Sequence, residues 1–216
     1  MPQEAPRQRH GCLFYGGIIA VVLLVSVLIA ALLGLRLAKR MLNEFTDTKP
    51  LALPAVQMPA AELERVRQRV TAFQQAVSNH RPSETLALTS DEINALIATD
   101  QDLSFLKGKV YVMIEGDRVK AQVSVPLDEV GLPFFKGRYL NGVATLDVGL
   151  DHGVLRVVPE AISVKGKPLP AVYGNKLRKQ NLAENINDDS RASNGLQQLE
   201  NIQVKDSKLI IVPKKP

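Results

Sequence analysis

The sequence has few of the residues that build thiol, redox and metal chemistry. It contains one cysteine, Cys12, and three histidines, His10, His80 and His152. A single cysteine cannot form an internal disulfide or a Cys-ligated zinc site, and the histidines lack the short spacing of paired metal ligands. Residues 185–196 begin like a calcium-binding loop but lack its glycine and its final glutamate. We therefore expect no metal, no cofactor and no thiol nucleophile, and we predict that the protein is not an enzyme.

The chain also lacks a concentrated charge of one sign. It has 27 Lys and Arg against 22 Asp and Glu, a formal net charge of +5. Residues 1–59 hold six basic and three acidic side chains, and residues 60–216 hold 21 basic and 19 acidic ones. Surfaces that bind nucleic acid need a dense basic stripe facing the phosphates, so we expect no nucleic-acid partner.

Charged side chains are absent from residues 11–35, the twenty-five residues between His10 and Arg36. At 1.5 Å per residue this run would form a helix of about 37 Å, long enough to cross a hydrocarbon core of about 30 Å. A cleaved signal peptide would have a shorter apolar core that ends in small residues. We therefore predict a retained single-pass transmembrane helix at 11–35, preceded by a basic tail at 1–10, with the lipid bilayer as its partner.

The orientation of this helix depends on basic residues that flank it on both sides. Arg7 and Arg9 precede the run, and Arg36, Lys39 and Arg40 follow it. Basic residues near the membrane tend to stay in the cytoplasm, so a literal count favours a cytoplasmic domain. A short basic tail followed at once by a long apolar run is instead the layout of an anchor that exports the following chain. We predict the exported, extracytoplasmic arrangement and keep the other as an alternative.

Small residues recur every four positions within the predicted helix, at Ser26, Ala30 and Gly34. Such a row lets two membrane helices approach closely and would support a homodimer. The alternative is that Gly, Ala and Ser are simply common in membrane helices.

Residues 36–59 follow as a juxtamembrane segment and Pro-rich linker, with Pro50, Pro54 and Pro59. Segments of this kind are extended, semi-rigid spacers. The remaining residues, 60–216, have the length of one ordinary domain that needs no disulfide or metal to fold.

Two amphipathic helices open this domain. A 3-4-3-4 spacing of apolar residues predicts the first, between Pro59 and Arg81-Pro82. Its stripe is Leu63, Val66, Val70, Phe73 and Val77. Thr89 and Glu92 form a capping box for the second helix, since each side chain can satisfy the other's backbone N–H. The buried side of the second helix is Ile93, Leu96 and Ile97.

The period of the apolar residues then changes from 3.6 to 2, which predicts strands. Three pairs of strands are joined by two-residue turns at Gly116-Asp117, His152-Gly153 and Asp206-Ser207. Each turn sets a register with apolar partners on one face: Ile114 with Val119, Val148 with Val157, and Ile202 with Ile211. We predict an α+β fold with one antiparallel sheet and helices packed on one face. Between the last two hairpins we predict one or two helical turns and a polar loop at 185–195.

One segment, residues 131–140, stands apart from an ordinary solvated loop. Aromatic and basic side chains alternate there, in the combination that is typical of a membrane interface or of contact with an amphiphile's head group. The candidate contact residues are Phe134, Phe135, Lys136, Arg138 and Tyr139. The alternative is that the rings fill the end of the core while the charges reach outward into solvent.

The order of these parts resembles the YpmS-like family of bacterial envelope proteins. The resemblance rests on the anchor, the segment LTSDEINALI (88–97), the hairpin KVYVMIEGDRVKAQVSVPL (109–127) and GKPLP (166–170). More remotely, a helix wrapped by a curved antiparallel sheet is similar to tubular lipid-binding domains. The resemblance implies a single-pass, outward-facing domain and supplies no catalytic residue.

These features predict a membrane-anchored, non-enzymatic domain that binds a lipid-like ligand or an envelope partner near the bilayer. The alternative is a structural or assembly protein of a membrane complex that has no small-molecule ligand.

Overall fold

The computed structural model describes residues 34, 36, 39–40, 42–128 and 135–215, except for the side chains of Val172, Tyr173 and Arg191. One compact unit begins at Phe45 and runs to the end of the chain. This unit contains the α+β domain described below.

Membrane-spanning helices were sought within the described part of the chain. There, each helix is either too short or too polar to cross a bilayer. The predicted transmembrane helix at 11–35 lies outside the described residues apart from Gly34. Ser26 and Ala30 therefore also lie outside them, and the anchor and the homodimer stay predictions.

The domain opens with α1 (Ala60–Ser78), β1 (Leu86–Thr89) and α2 (Ser90–Thr99). From the predicted apolar stripe, α1 buries Val66, Phe73 and Val77. The capping box at the start of α2 is confirmed. Thr89 Oγ1 accepts a hydrogen bond from the Glu92 N–H, and Glu92 Oε2 accepts one from the Thr89 N–H at 2.8 Å. Both predicted helices are therefore present, with their predicted faces inward.

The larger sheet is antiparallel and has five strands in chain order. They are β2 (Val110–Glu115), β3 (Arg118–Pro126), β4 (Tyr139–Asp151), β5 (Val154–Val164) and β6 (Lys167–Pro168). The predicted registers of its two hairpins are confirmed, since Ile114 lies opposite Val119 and Val148 lies opposite Val157. His152 and Gly153 both have positive φ, the geometry that matches the twist of a two-residue hairpin.

A second, smaller sheet is formed by β1 with β7 (Leu199–Lys205) and β8 (Lys208–Pro213), in the order β1-β8-β7. Its hairpin register, with Ile202 opposite Ile211, is confirmed. The predicted single sheet is therefore corrected to two antiparallel sheets, because the third hairpin pairs with β1 and does not extend the larger sheet.

The physical reason lies at the outer edge of β5. There β6 pairs only with Ser163 and Val164, and beside the first residues of β5 asparagine side chains take the place of a neighbouring strand. Asn181 Oδ1 accepts from the Val157 N–H, and Asn187 Oδ1 accepts from the Leu155 N–H, both at 2.9 Å. Both amide groups donate to the Leu155 carbonyl, at 2.7 and 2.9 Å. The backbone groups of β5 are thus satisfied without a further strand.

The chain between β5 and β7 is more helical than the sequence predicts. It contains α3 (Ala171–Leu177), α4 (Glu184–Asp188) and α5 (Ser190–Gln197). The predicted polar loop at 185–195 is therefore wrong for most of its length. Asp189 begins α5 by accepting a hydrogen bond from the Ala192 N–H at 2.8 Å, so polar residues here serve as helix caps.

The main apolar core lies between α1, α2 and the smaller sheet. Half-buried apolar residues near the end of the β4–β5 hairpin, Val148, Leu150 and Leu155, complete it from the larger sheet. Its buried members are Val66, Phe73, Val77, Leu86, Leu88, Leu96, Leu199 and Ile202.

Candidate functional site

The larger sheet has two chemically different ends. We call the end where β2 and β4 begin and β3 and β5 end the basal end. The distal end is the opposite one, and it carries the hairpin turns at 115–118, 151–154 and 205–208. The candidate segment 131–140 joins β3 to β4 at the basal end.

At the basal end, residues 46–51 are attached to the sheet. Asp47 and Tyr139 exchange two backbone hydrogen bonds, Asp47 N to Tyr139 O at 2.8 Å and Tyr139 N to Asp47 O at 2.7 Å. This part of the predicted linker is therefore not a free spacer, and the compact unit begins at Phe45 rather than at residue 60.

The buried amide of Asn141 is the centre of this attachment. Its Nδ2 donates to Asp47 Oδ2 at 3.1 Å and to the Lys49 carbonyl at 2.9 Å. Its Oδ1 accepts from the Ser124 hydroxyl at 2.9 Å and from the Leu51 N–H at 3.1 Å. The four hydrogen bonds use the full capacity of the amide. A single side chain thus connects β3 and β4 to three residues of the incoming segment.

Ser124 shares this role from the neighbouring strand. It lies directly opposite Asn141 in the register of β3 and β4, and it is 3% exposed. Its hydroxyl accepts a hydrogen bond from the Leu51 N–H at 3.0 Å. Because side chains alternate along strands, Ser124 and Asn141 lie on the face opposite that of Ala121 and Ala144. Residues 46–51 therefore cover the more polar face of the sheet.

Two cations hold the first residues of this segment. Lys165 Nζ lies 2.8 Å from Asp47 Oδ1 and donates to the Thr46 carbonyl at 2.9 Å. The Arg138 guanidinium donates to the Thr46 hydroxyl and, at 3.4 Å, to the Thr46 carbonyl. Thr46 is 5% exposed. We call the contacts of residues 46–51 with Ser124, Arg138, Tyr139, Asn141 and Lys165 the clamp.

The charges of the clamp change the acidity of Asp47. The hydrogen bond from Lys165 is the main cause that lowers the pKa of this carboxyl, and the hydrogen bond from Asn141 adds to it. The positive charges of Lys165 and Arg138 act in the same direction, while partial burial opposes them. Asp47 is thus held as a carboxylate paired with cations, an arrangement suited to attachment.

The structure separates the predicted site residues into different roles. Arg138 and Tyr139 belong to the clamp, Tyr139 through its backbone. Phe135 is half-buried and Lys136 is exposed at the turn before β4, while Phe134 lies outside the described residues. The predicted site residues do not include Thr46, Asp47, Ser124, Asn141 or Lys165. The only local signal for them is a polar residue on the same face of two strands, at Ser124 and Asn141.

The described residues contain few other groups that could bind a metal ion or a ligand. There, no three His, Cys, Asp or Glu side chains are grouped to hold a metal ion. A surface depression of about 460 Å³ lies on the outer face of α1 and not at the basal end. Its lining residues all belong to α1: Glu64, Arg67, Gln68, Thr71, Ala72 and Gln75.

Comparisons of the chain with family profiles, with curated proteins and with solved structures give no significant match. The resemblance to the YpmS-like family therefore stays a prediction, and the function has to be argued from the residues themselves.

Proposed function

We propose that the chain is a membrane-anchored, non-enzymatic envelope domain that works at the bilayer surface and binds a lipid-like ligand or an envelope partner there. The proposal combines the uncharged run at 11–35 with the clamp. The clamp is the observation that carries it.

The clamp keeps the basal end close to the predicted anchor by chain length alone. Arg36 is the first charged residue after the uncharged run, and Thr46 is the tenth residue after Arg36. Ten residues span at most about 36 Å when fully extended and about 15 Å as a helix. Because Thr46 is fastened to Arg138 and Lys165, an inserted anchor would keep the basal end within this distance of the bilayer. A free linker up to Pro59 would have allowed a much larger separation.

The side chains at this end support a lipid-like ligand. Phe135 and Lys136 place an aromatic ring beside a cation, a combination typical of membrane interfaces. On the face of the sheet opposite the clamp, four apolar side chains near the basal end are only half-buried: Val110, Val123, Val125 and Leu140. An acyl chain would be a suitable partner for this face.

The test uses the full chain expressed in a bacterial host. We expect the chain to stay in the membrane after alkaline carbonate washing, and the domain to be digested when protease is added to spheroplasts. Organic extraction of the purified full chain, followed by mass spectrometry, is expected to release a lipid in stoichiometric amount. A chain released by carbonate would contradict the anchor, and one free of lipid would contradict the ligand.

An assembly role is the second candidate, and a specific observation favours it. Val154, Leu182 and Ile186 are 49%, 53% and 38% exposed. They lie along the outer side of β5, where Leu182 N donates to the Val157 carbonyl at 2.8 Å. Exposed apolar residues that lie together are typical of protein interfaces. Co-purification with a defined membrane protein, lost on Leu182→Ser with Ile186→Ser and without bound lipid, would support this role.

A further inference from the structure

We propose that the basal surface binds the anionic headgroups of the phospholipid bilayer. This surface comprises the described residues of the basal loops: 46–50, 100–109, 127–128, 135–138 and 165–167. The inference rests on the proposed function and adds the chemistry of the partner.

The topology brings the loop at 100–109 to the basal end, although the sequence gives no sign of it. Ser90 Oγ accepts from the Ile114 N–H at 2.8 Å, and Asn94 exchanges hydrogen bonds with Val112 at 2.7 and 2.8 Å. α2 therefore runs antiparallel to β2, and the last turn of α2 lies beside the start of β2. Ser124 N then donates to the Lys109 carbonyl at 2.8 Å, which fixes this loop beside the clamp.

This loop exposes an aromatic ring, with Asp100 and Asp102 before it and Lys107 and Lys109 after it. Phe105 lies in a 3₁₀ turn (Ser104–Leu106) and is 57% exposed, the largest exposed fraction among the described large apolar side chains. Lys107 follows two residues later and is also exposed. A ring that stays in water gains stability by entering the headgroup region, where aromatic residues are enriched.

The charge of the basal surface has the sign that an anionic bilayer requires. Its loops hold seven basic and four acidic residues, whereas the distal turns at 115–118, 151–154 and 205–208 hold three basic and four acidic ones. Exposed lysines contribute from four separate segments: Lys49, Lys107, Lys136 and Lys167. Basic side chains near a membrane are attracted by anionic lipids within about one Debye length.

The position of the basal surface close to the predicted anchor favours the bilayer over other anionic partners. The clamp belongs to the same surface, so the chain-length limit from Arg36 keeps these lysines near the headgroups whenever the anchor is inserted. The distal end lies about 40 Å away along the thirteen residues of β4, beyond the reach of the same attraction.

The experiment uses the full chain in vesicles, with Cys12→Ser removing the natural thiol. A spin label is placed next to Phe105 by Ser104→Cys, or at the distal end by Val154→Cys. Vesicles contain phosphatidylcholine alone or with about one third phosphatidylglycerol. We expect collisions of the 104 label with a water-soluble nickel complex to fall at least threefold in the anionic vesicles. The 154 label is expected to stay unchanged.

Matched charge reversals test whether the basal lysines cause this effect. Lys107→Glu with Lys136→Glu is expected to abolish the lipid dependence at the 104 label. Lys205→Glu with Lys208→Glu changes the charge by the same amount at the distal end and is expected to preserve it.

Each remaining outcome overturns a defined part of the argument. Equal accessibility at the 104 label in both vesicles, in a chain that resists carbonate washing, overturns the headgroup inference alone. Loss of the effect in both charge-reversed variants overturns the role of the basal surface. A chain that carbonate removes from the vesicles overturns the proposed function and the inference with it.

Discussion

The contacts that stabilise the two ends of the larger sheet differ in how far apart their residues lie in the sequence. In the distal part, ion pairs such as Glu115 with Lys120 and Asp147 with Arg156 join residues five and nine positions apart, and Gly116 and Ser207 exchange the hydrogen bonds that join two of the turns. At the basal end, the clamp joins residues between 73 and 119 positions apart. These two ion pairs need only their own hairpins, whereas the clamp needs β3, β4 and the end of β5 to be in place beside the incoming segment. Attachment of the segment that follows the predicted anchor therefore depends on the tertiary fold.

Substitution of two glycines in β4 is expected to give the largest difference in unfolding free energy between the two ends. A Cβ atom at Gly142, in the basal half, would lie 2.5 Å from the Ser163 carbonyl oxygen, whereas at Gly149, in the distal half, the nearest atom is 3.8 Å away. We expect Gly142→Ala to lower the free energy of unfolding by about 3 kcal/mol, because backbone must move. Gly149→Ala is expected to change it by less than about 0.5 kcal/mol. Urea unfolding of the detergent-solubilised chain measures both, and similar losses would contradict the comparison.

The buried amide of the clamp gives the next largest effect. Asn141→Ala removes four hydrogen bonds and takes away the acceptor of the Ser124 hydroxyl and the amide donor to the Lys49 carbonyl, while the Leu51 N–H keeps its bond to Ser124. We expect the free energy of unfolding to fall by about 2 kcal/mol. Asn175→Ala, at an exposed residue of α3, is the control and is expected to stay within about 0.5 kcal/mol of the unchanged chain. A loss at residue 141 no larger than the control would contradict the central role of this amide.

The ion pair of the clamp predicts a pH dependence. The pKa of Asp47 is lowered from 3.8 in the folded chain, so the unfolded chain binds the proton more readily. The stabilisation by Asp47 is therefore fully present above pH 3.8 and disappears as the pH falls through the lower folded value. Asp47→Asn is expected to cost up to about 1 kcal/mol at pH 6, since the pair is partly exposed, and much less at pH 3.

Denaturant midpoints at these two pH values measure this change. Asp117→Asn, in an exposed distal turn, is the matched control and is expected to show no such difference. An Asp47→Asn penalty that is equal at both pH values would exclude the ion pair as its source.

The smallest effect is expected for an ion pair of the distal part. Arg156 and Asp147 have side chains that are 52% and 41% exposed. Surface pairs of this kind contribute little, so Arg156→Ala is expected to lower the free energy of unfolding by less than about 0.5 kcal/mol. A loss above 1 kcal/mol in the same urea experiment would show that the distal part also depends on its charges.

The features that could be predicted from the sequence are those whose cause is local. The capping box of Thr89 and Glu92 spans four residues, and the registers around Gly116 and Gly153 follow from a two-residue turn together with alternating apolar residues. In such cases the pattern and the structure share one physical origin, and the prediction is confirmed.

The features that could not be predicted have partners far away in the chain. Asp47 pairs with Lys165 and Tyr139 only because β4 and β5 place them together, and three prolines made the surrounding segment resemble a spacer. The division into two sheets has a similar cause, because nothing in the local sequence shows that Asn181 and Asn187 will close the edge of β5. Arg138 and Tyr139, predicted as ligand or membrane contacts, take part in the clamp, and their contact with a ligand stays a prediction, whereas composition gives no signal for the buried Asn141.

Amide hydrogen exchange of the full chain, inserted in a bilayer, tests the clamp most directly. The N–H groups of Asp47 and Leu51 donate to Tyr139, Ser124 and Asn141, so we predict that they exchange much more slowly than those of the exposed segment 55–57. Asn141→Ala is predicted to reduce the protection of Leu51, whose N–H then keeps only its bond to the Ser124 hydroxyl, and Asn141→Ala with Ser124→Ala is predicted to remove it. Exchange at Asp47 and Leu51 as fast as in 55–57 would show that residues 46–51 form a free spacer, and would contradict the clamp.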